Sequence, residues 1–380
     1  MGYHGRFEEE KQEQPKKKAG KIILAVILAL VLLIGGVAVW GVRYYNELFG
    51  KMNIVTLDKN LYETYTEETA LPTESEETQP MQTTTVATEE TLPVETTRPP
   101  FKSDDIINIL VVGQASREGE AGHIADSTIL VTVNTYDGTV KLSSVLRDSL
   151  VTMPYYKNRG GGQNKFNMAY EMGYRWEGIE GAMSYVNLTM FHNFGVEVDY
   201  NFEISFESFT KVIDYMGGIE IELTEAEAKY LNNDDLYVKY DVQPGLQYLD
   251  GMAALSYARM RKAEGDNESD IKRSARQRLL IATLLDKVRG ATLVQLQGVA
   301  DILLPLITTT MTPADVVEIL TRIAPVINDI NIVGETIPIS GTGWGEIIDI
   351  YEDGIPDSVI KFESPQQKRL IRAITEAEKN

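Results

Sequence analysis

The sequence predicts a layered α/β fold for the region that follows residue 103. Three observations predict it: short apolar runs typical of buried strands alternate with helical stretches, 43% of the 380 residues are hydrophobic, and neither an internal repeat nor a second linker divides the region. Because a region of this length can bury a full core, the sequence favours one domain over residues 104–380 rather than two.

Composition excludes several classes of function. The chain has 36 Lys and Arg against 56 Asp and Glu, a net charge of −20, which disfavours a general nucleic-acid binder because phosphate contacts need clustered cations. There is no cysteine, so disulfides, thiolate nucleophiles, iron–sulfur clusters and cysteine-type zinc sites are excluded. The histidines are His4, His123 and His192, and a zinc site drawing on all three is not expected.

Residues 22–42 predict a transmembrane helix. The run carries no charge, and about 20 apolar residues at ~1.5 Å each span a bilayer core. The run is too long for a signal-peptide core and no clear small-x-small cleavage site follows, so an anchor is favoured over the alternative, a cleaved signal peptide. The basic residues ahead of the run are Lys16, Lys17, Lys18 and Lys21, whereas Arg43 alone immediately follows it. The positive-inside rule therefore predicts a cytoplasmic tail over residues 1–21 and a single-pass cell-membrane protein with an extracytoplasmic C-terminal domain.

Residues 43–103 predict an extracytoplasmic tether that is mostly disordered. Between Glu63 and Pro100 the chain is dominated by Thr, Glu and Pro, with too few large apolar residues to offset the entropy of ordering. Like charges keep such a segment extended. The alternative is a small folded domain.

The predicted strands begin at Ile106, where an apolar run ends in Gly113 in the manner of a strand buried on both faces. Residues 134–138 between the next two runs form a hairpin signal. Strands are predicted over 107–113, 127–133, 139–145, 200–204 and 219–223. Helices are predicted over 166–172, 179–194, 206–216, 251–259 and 271–289.

Capping signals mark the starts of the later helices. Residues 224–227 (TEAE) have the form of a capping box, and Asp250 is placed to cap the helix that follows it. Thr312 followed by Pro313 opens a helix that ends at Ile323. The glycine-rich stretch 341–345 and two further apolar runs are predicted to close the same domain.

Cationic residues cluster in a few places despite the acidic composition. Arg147-Asp148 follows the third predicted strand, and Lys165-Phe166-Asn167 opens the next helix. Either Asp126 or Asp148 could hold a hard cation, although an aspartate beside a strand is also typical of a turn or cap.

A second basic group follows the predicted strands. Arg259 and Arg261 precede a polar loop, and Arg273 and Arg276 lie in the first turns of a helix, where cations oppose the macrodipole and therefore favour an anionic ligand. Arginine forks suit phosphate, whereas the alternative for any single arginine is a surface ion pair with the abundant acids.

Seven sequence motifs of this chain resemble those of the LytR-CpsA-Psr family in their order and spacing. They cover residues 104–290, about half the chain, and the layout of an anchor followed by an outer domain is also similar. The motifs are NILVVG (108–113), ADSTILV (125–131), LSSVLRDS (142–149), NKFNMAY (164–170), YNFEISFESFTKVIDYMGGIEIEL (200–223), LDGMAALSYARMR (249–261) and SDIKRSARQR (269–278).

The resemblance implies a three-layer α/β/α domain and an extracytoplasmic phosphotransferase. Such an enzyme takes an anionic glycopolymer from a polyprenyl-pyrophosphate carrier, whose tail binds in an apolar pocket, and joins the polymer to peptidoglycan by a phosphodiester. A polyprenyl-pyrophosphate hydrolase side activity would be compatible with this chemistry. The implied partners are the lipid-linked glycopolymer, peptidoglycan and the membrane, with no nucleic acid, in a Gram-positive bacterium.

The resemblance also implies the site residues. Pyrophosphate would be bound by Arg147, Lys165, Asn167, Arg259, Arg261, Arg273, Arg276 and Gln277. The expected catalytic residues are Arg147, Asp148, Arg259, Arg261 and Asp270. Asp126 is the expected protein ligand of a Mg²⁺ cofactor.

The sequence departs from the family pattern at the end of the first strand. The family has Gly-x-Asp there, with the Asp as a metal ligand, whereas Gly113-Gln114-Ala115 has no carboxylate. Ile124, Leu146 and Lys272 stand where the family usually has Arg, Pro and Gly. Loss of one carboxylate should weaken Mg²⁺ binding, unless His123 or Glu120 compensates.

Two hypotheses about function follow. The chain is either an active transferase or a non-catalytic relative that binds polyprenyl-linked polymer or wall glycan as a carrier, sensor or scaffold; the preserved arginines fit both, and Ala115 favours the second. A transcription regulator is disfavoured because the folded domain faces away from DNA. An unrelated adhesin or hydrolase is disfavoured because the sequence offers no Ser/His/Asp arrangement or well-supported carboxylate pair.

Overall fold

The structure is a computed structural model of the protein. The described residues are 50–58, 61–62, 104–114, 125–233, 240–261, 270–289, 291–326, 331–351 and 356–375. The predicted cytoplasmic tail, the predicted transmembrane segment and most of the predicted tether lie outside them, as do Ala115, Glu120 and His123. Among the helices of the described ranges, none combines the length and the apolar character that a membrane crossing requires.

A central sheet organises the domain. The strands are β1 (Asn53–Ile54), β2 (Ile106–Gln114), β3 (Ala125–Asn134), β4 (Thr139–Val145), β5 (Leu150–Thr152), β6 (Tyr155–Tyr156), β7 (Arg159–Gly160), β8 (Gln163–Lys165), β9 (Tyr200–Ser205), β10 (Ile219–Leu223), β11 (Gly245–Leu249), β12 (Ile307–Thr309), β13 (Asn331–Ile337), β14 (Trp344–Ile348) and β15 (Asp357–Lys361). Seven of them form one mixed sheet in the order β1-β12-β9-β2-β3-β4-β13. The pairs β1–β12, β2–β9 and β4–β13 are parallel, and the other three pairs are antiparallel.

Helices cover both faces of this sheet. They are α1 (Asn167–Phe194), α2 (Phe206–Tyr215), α3 (Glu225–Leu231), α4 (Gly251–Arg259), α5 (Asp270–Arg289), α6 (Leu293–Leu303), α7 (Pro313–Ile323) and α8 (Ser364–Thr375). On one face Leu110 and Leu130 pack with Tyr185 of α1, and on the other Ile109 and Ile129 pack with Ile319 of α7. The alternating apolar side chains of the strands thus feed two cores, as the predicted layered α/β fold requires.

The local predictions for strands and helices are confirmed in most places. Each predicted strand lies within an observed one, and the capping box of α3 is complete, with Thr224 and Glu227 bonding to each other's backbone. Asp250 caps α4 by accepting a hydrogen bond from Ala253 N. The sequence did not predict β11, β13, the β14–β15 hairpin or α8, whose apolar runs are short and interrupted by glycine or charge.

The two helices predicted over 166–194 are joined in α1 across a kink. Glu177 and Gly178 leave the helical conformation, and Gly178 has φ +63°, which favours glycine. The chain folds back so closely that a Cβ on Gly173 would overlap the carbonyl of Gly181.

The domain begins earlier than residue 104. Part of the segment predicted as tether packs on it: β1 pairs with β12, and Leu61, only 6% exposed, joins the α1 core. The Tyr62 hydroxyl accepts a hydrogen bond from Val198 N and donates one to Val198 O, at 2.9 and 3.2 Å.

Two small sheets flank the end of β4. β5 pairs with β8, and the β14–β15 hairpin joins this layer through a parallel bridge between Ser149 and Ile360. The hairpin, which contains no predicted site residue, is thereby attached to the segment that carries Arg147, Asp148 and Lys165.

Candidate anion-binding site

Several of the predicted site residues lie at one end of the central sheet. Ile337 of β13 pairs with Val145 of β4, and Gln114 of β2 pairs with Ser205 of β9, so these parallel strands end at the same edge. The antiparallel β3 starts there. In α/β sheets, ligands bind outside the carboxyl ends of parallel strands, so this edge is the place to look for a site.

Arg147 is the centre of the group. Thr128 of β3 pairs with Val145, the last residue of β4; Asp126 lies two residues before Thr128, and Arg147 lies two residues beyond the end of β4. Arg147 Nη1 donates to Asp126 Oδ1 at 3.1 Å, and its Nε lies 3.5 Å from Asp148 Oδ2. The three side chains are 18%, 29% and 26% exposed, so their charges interact in a medium drier than bulk water.

The start of α1 lies against Arg147. Asn167 N donates to the Arg147 carbonyl at 3.1 Å, and Phe166 N donates to the Ser149 carbonyl at 2.9 Å. Asn167 Oδ1 is buried with no hydrogen-bond partner among the described residues, so it remains able to accept from a ligand. Lys165, at the end of β8, bonds through Nζ to Asp357 Oδ1 at 2.7 Å.

Helix α5 contributes from the other side of the sheet end. Ser127 Oγ, next to Asp126, donates to Gln277 Oε1 at 2.9 Å. Arg273 precedes Gln277 by four residues, so the two side chains share a face of the helix. Arg273 is only 4% exposed. This places Arg273 and Gln277 at the same sheet edge as Asp126.

Arg276 is directed to a different partner. Its Nε donates to Glu227 Oε1 of α3 at 2.7 Å, and its Nη1 donates to the Met260 carbonyl at 3.2 Å. Both side chains of this ion pair are about nine-tenths buried. These contacts join α3, the end of α4 and α5, and the predicted role of Arg276 at the pyrophosphate stays a prediction.

The electrostatics of the Glu227 pair follow from its contacts. Burial by itself would raise the pKa of Glu227, but hydrogen bonds from the Thr224 backbone and from Arg276 outweigh burial and lower the pKa. The ring of Tyr257 lies 5.7 Å from the Arg276 guanidinium carbon, and burial, with a smaller contribution from Glu227, raises the pKa of Tyr257 to about 12. The pair is therefore ionised at neutral pH.

The remaining predicted residues lie at the junction of α4 and α5. Arg259 is the last residue of α4 and half-buried, and Arg261 follows it and is exposed. The backbone of Asp270 begins α5. These three are not brought into a described contact with Arg147, so their predicted roles at the pyrophosphate stay predictions.

The donor set at the edge is compatible with Mg²⁺. Asp126 and Asp148 present oxygen ligands on two sides of Arg147. Mg²⁺ is usually held by one or two carboxylates together with substrate phosphates and water, so two carboxylates suffice. Within the described ranges, no group of three or more His, Cys, Asp or Glu side chains could hold a metal by itself.

The central strands leave an apolar face incompletely covered. Val111, Val131, Phe202 and Ile204 come from the neighbouring strands β2, β3 and β9 and pack with side chains of helices α2, α5, α6 and α7. All four are only partly buried. Central side chains under a closely packed helix layer are normally buried, so the helices that the structure describes leave part of this face open.

The sequence of the chain matches one known protein family over most of its length. The LytR_cpsA_psr family model matches residues 62–359, more than three-quarters of the sequence. The chain belongs to the LytR_cpsA_psr family. The resemblance noted in the motifs is therefore confirmed, and the match extends it through β14 and into β15.

Relatives of known activity are similar over about half their length. TagT of Bacillus subtilis, named a polyisoprenyl-teichoic acid–peptidoglycan teichoic acid transferase, is 28% identical over 190 residues, 49% of this chain and 54% of TagT. TagU of Bacillus licheniformis, named for the same activity, is 34% identical over 185 residues, 48% of this chain and 52% of TagU.

Several solved structures share the fold of this chain. TagT bound to LIIa-WTA has a TM-score of 0.53 at 23% identity, covering 72% of this chain and 90% of TagT. A Streptococcus agalactiae protein has a TM-score of 0.57 at 21% identity, covering 73% and 90%. A further TagT structure, with bound octaprenyl pyrophosphate lipid, has a TM-score of 0.50 at 20% identity and covers 74% and 93%.

Sequence reasoning missed three residues at or near the site. Ser127 and Asp357 carried no signal, because a serine in a strand and an aspartate in a surface hairpin are common. Glu227 was identified as a helix cap, and its charge beside Arg276 could be found only from the tertiary structure.

Proposed function

We propose that this protein is a phosphotransferase that moves an anionic glycopolymer from a polyprenyl-pyrophosphate carrier to peptidoglycan. The observation that carries the proposal is the group at the end of the sheet in which Asp126 and Asp148 contact Arg147, with Lys165 on the adjoining strand β8. The names of TagT and TagU support the reaction class, and the octaprenyl pyrophosphate lipid bound to TagT supports a polyprenyl-pyrophosphate ligand.

The apolar face supports the carrier. A polyprenyl tail needs a dry, roomy surface next to the site that holds its pyrophosphate, and the partly exposed Val111, Val131, Phe202 and Ile204 offer one. The tail would lie between the sheet and helices α5 to α7, with the pyrophosphate at the Arg147 edge.

The residues of the site would act by positioning and by neutralising charge. In the proposed reaction a hydroxyl of the wall glycan attacks the phosphorus next to the polymer's sugar, the new P–O bond forms, the P–O bond to the lipid phosphate breaks, and the hydroxyl proton passes to solvent. Arg147 and Lys165 would hold phosphate oxygens, and Asn167 Oδ1 would accept a hydrogen bond. Asp126, with Asp148, would hold Mg²⁺, which supplies further neutralisation of phosphate charge when bound.

The proposed location follows from the first hundred residues. An uncharged run at 22–42 with lysines ahead of it would anchor the protein, with the catalytic domain outside the cell. A membrane-embedded carrier and an outer wall acceptor would then both be within reach of the domain.

The test uses the full chain in detergent, a synthetic polyprenyl-pyrophosphate glycan and peptidoglycan, with Mg²⁺. Arg147→Ala should lower transfer about a hundredfold or more, because a preorganised cation at the phosphate is lost. Arg369→Ala, which removes an exposed arginine on α8, is the matched control and should transfer normally. Equal transfer by both variants would contradict the proposal.

The second candidate function is binding without transfer, and the sequence Gln114-Ala115 favours it. A binding protein would retain the lipid without transferring the polymer, and Ala115→Asp would restore transfer by supplying a carboxylate. Wild-type transfer that Ala115→Asp does not improve would exclude this candidate.

A further inference from the structure

The cation at the end of β8 has an internal counter-ion. Lys165 Nζ lies 2.7 Å from Asp357 Oδ1, and the two side chains are 20% and 24% exposed. Water screens such a pair less than it screens a fully exposed one. Asp357 begins β15, so it lies outside every motif on which the site was predicted.

The hairpin that carries Asp357 is held against the site by further contacts. Ile360 N donates to the Asp148 carbonyl at 2.8 Å, and Tyr351, in the loop after β14, donates through its hydroxyl to Asn164 Oδ1 at 2.9 Å. Asn164 precedes Lys165. Asp357 is therefore held beside Lys165 by a side-chain hydrogen bond before it in the chain and a backbone hydrogen bond after it, and an arriving anion would meet its charge.

The local charge balance makes this carboxylate matter. Three cations, Arg147, Lys165 and Arg273, lie at this edge of the sheet with the carboxylates Asp126 and Asp148, and Asp357 adds a third carboxylate that cancels the remaining positive charge. Asp126 and Asp148 flank Arg147 and have a second use as oxygen ligands. Asp357 pairs with Lys165 instead of Arg147. Its carboxylate would repel an anion and would compete with it for Lys165.

We propose that Asp357 is a positioning residue that competes with phosphate for Lys165, weakening the hold on the lipid so that polyprenyl phosphate can leave after transfer. This inference rests on the proposed function, since it assumes that Lys165 holds a phosphate. The Coulomb interaction between partly buried charges exceeds the rotamer entropy of one lysine side chain, so loss of the competing charge outweighs any loosening of Lys165.

The experiment compares two charge-removing variants of one hairpin. Asp357→Asn removes the counter-ion of Lys165. The control, Glu346→Gln, removes the counter-ion of Lys361, whose Nζ lies 2.8 Å from Glu346 Oε1. Lys361 is not a predicted site residue. Calorimetry on the full chain in detergent measures the Kd of farnesyl pyrophosphate and of farnesyl phosphate with Mg²⁺. Asp357→Asn should lower both Kd values about three- to tenfold, and Glu346→Gln should leave them unchanged.

Turnover separates this role from a structural one. Tighter product binding should lower both KM and kcat in Asp357→Asn, whereas a damaged hairpin would weaken binding and raise KM. A melting curve checks folding, and Asp357→Ser, which removes the same charge, should change Kd in the same direction. In a Lys165→Met background the effect of Asp357→Asn should largely disappear, because it acts through Lys165.

The outcomes that overturn the inference differ from those that overturn the function. Unchanged or weaker binding by Asp357→Asn, or equal tightening by Glu346→Gln, would refute the role of Asp357 while leaving the transferase intact. Wild-type protein that binds neither ligand would refute the proposed function, and the inference with it.

Discussion

Glu203 is an acidic residue whose carboxyl group is largely buried in the central sheet. It lies on β9 opposite Val112, and its Oε2 is buried with no hydrogen-bond partner among the described residues. Burial raises the pKa of Glu203, and a hydrogen bond with Tyr170 offsets only part of that rise. Tyr170 in turn accepts from Gln114 Nε2 at 3.1 Å. Glu203 is thus held more readily as the neutral acid than a free glutamate is.

Replacing Glu203 by glutamine should therefore stabilise the protein at neutral pH. The raised folded-state pKa means that the cost of Glu203 is absent below the ordinary value of 4.5, where both states carry the proton, and grows as pH rises above it. Urea unfolding should show a gain for Glu203→Gln at pH 7.5 of about 1 kcal/mol that vanishes near pH 4. Glu207→Gln, whose side chain is 74% exposed, is the control without such a gain. A destabilised Glu203→Gln at pH 7.5 would contradict this account.

Neighbouring arginines show where residue-level prediction stops. The sequence placed Arg273 and Arg276 on the first turns of one helix, and the helix is confirmed. Three residues correspond to about 300° of rotation, so the two side chains diverge by about 60°. Arg276 pairs with Glu227, which lies 49 positions earlier in the chain. A local sequence pattern therefore cannot predict which of the two arginines pairs with Glu227.

Helix α3 is joined to α5 through Glu227, a residue of its capping box. Glu227 closes the capping box and also receives Arg276, so one carboxylate both starts a helix and joins it to another. Glu227→Gln should cost about 2–4 kcal/mol of unfolding free energy, because Arg276 is left buried without its charge partner.

The control for that change lies on the same helix. Glu225→Gln removes an exposed acid from the first turn of α3 and should cost well under 1 kcal/mol. Because the folded-state pKa of Glu227 is lowered, the difference between wild type and Glu227→Gln should be full above pH 4.5 and shrink as pH falls below it. Equal urea midpoints for the two variants at pH 7 would contradict the role of the pair.

The glycine contact in α1 is a second element-scale constraint. Gly173 and Gly181 touch backbone to backbone across the kink, and a methyl group on either would overlap the other. Gly181→Ala should destabilise the protein by about 1–3 kcal/mol through overpacking, measured as a lower urea midpoint. Gly162→Ala is a poor control because Gly162 has φ +77°, whereas Gly345→Ala meets open space and should be tolerated.

For the whole molecule, the sequence predicted the central strands β2, β3 and β4 and most helices, because apolar runs and caps are local signals. The strand order could not be predicted in this way. β12 and β13 join opposite sides of the sheet from sequence positions far from their neighbours, and such long-range pairing leaves no periodic trace. The candidate site was predicted as far as its motifs reach, and the part supplied by the hairpin was not.

The open face predicts a separation of binding from folding. Val131→Phe should fill space between the sheet and helices α5 to α7, with little loss of unfolding free energy, since that residue is only partly buried. The variant should bind a long polyprenyl pyrophosphate at least tenfold more weakly than wild type, while inorganic pyrophosphate binding stays unchanged. Val317→Phe, on the exposed side of α7, is the control. Loss of both affinities in Val131→Phe would indicate a distorted sheet instead.

The position of β1 has a mechanical consequence. Tension applied to the chain ahead of Gly50 would reach the domain through an edge strand of two residues, the Lys51–Asp301 pair and a bond from Val55 N to the Thr309 carbonyl. These contacts, together with the packing of Met52 against the core, would break first, one after another. β3 and β4, which present Asp126 and Arg147, lie on the far side of β12, β9 and β2. A force on the N-terminal segment would therefore detach the edge strand β1 before it could disturb the anion site.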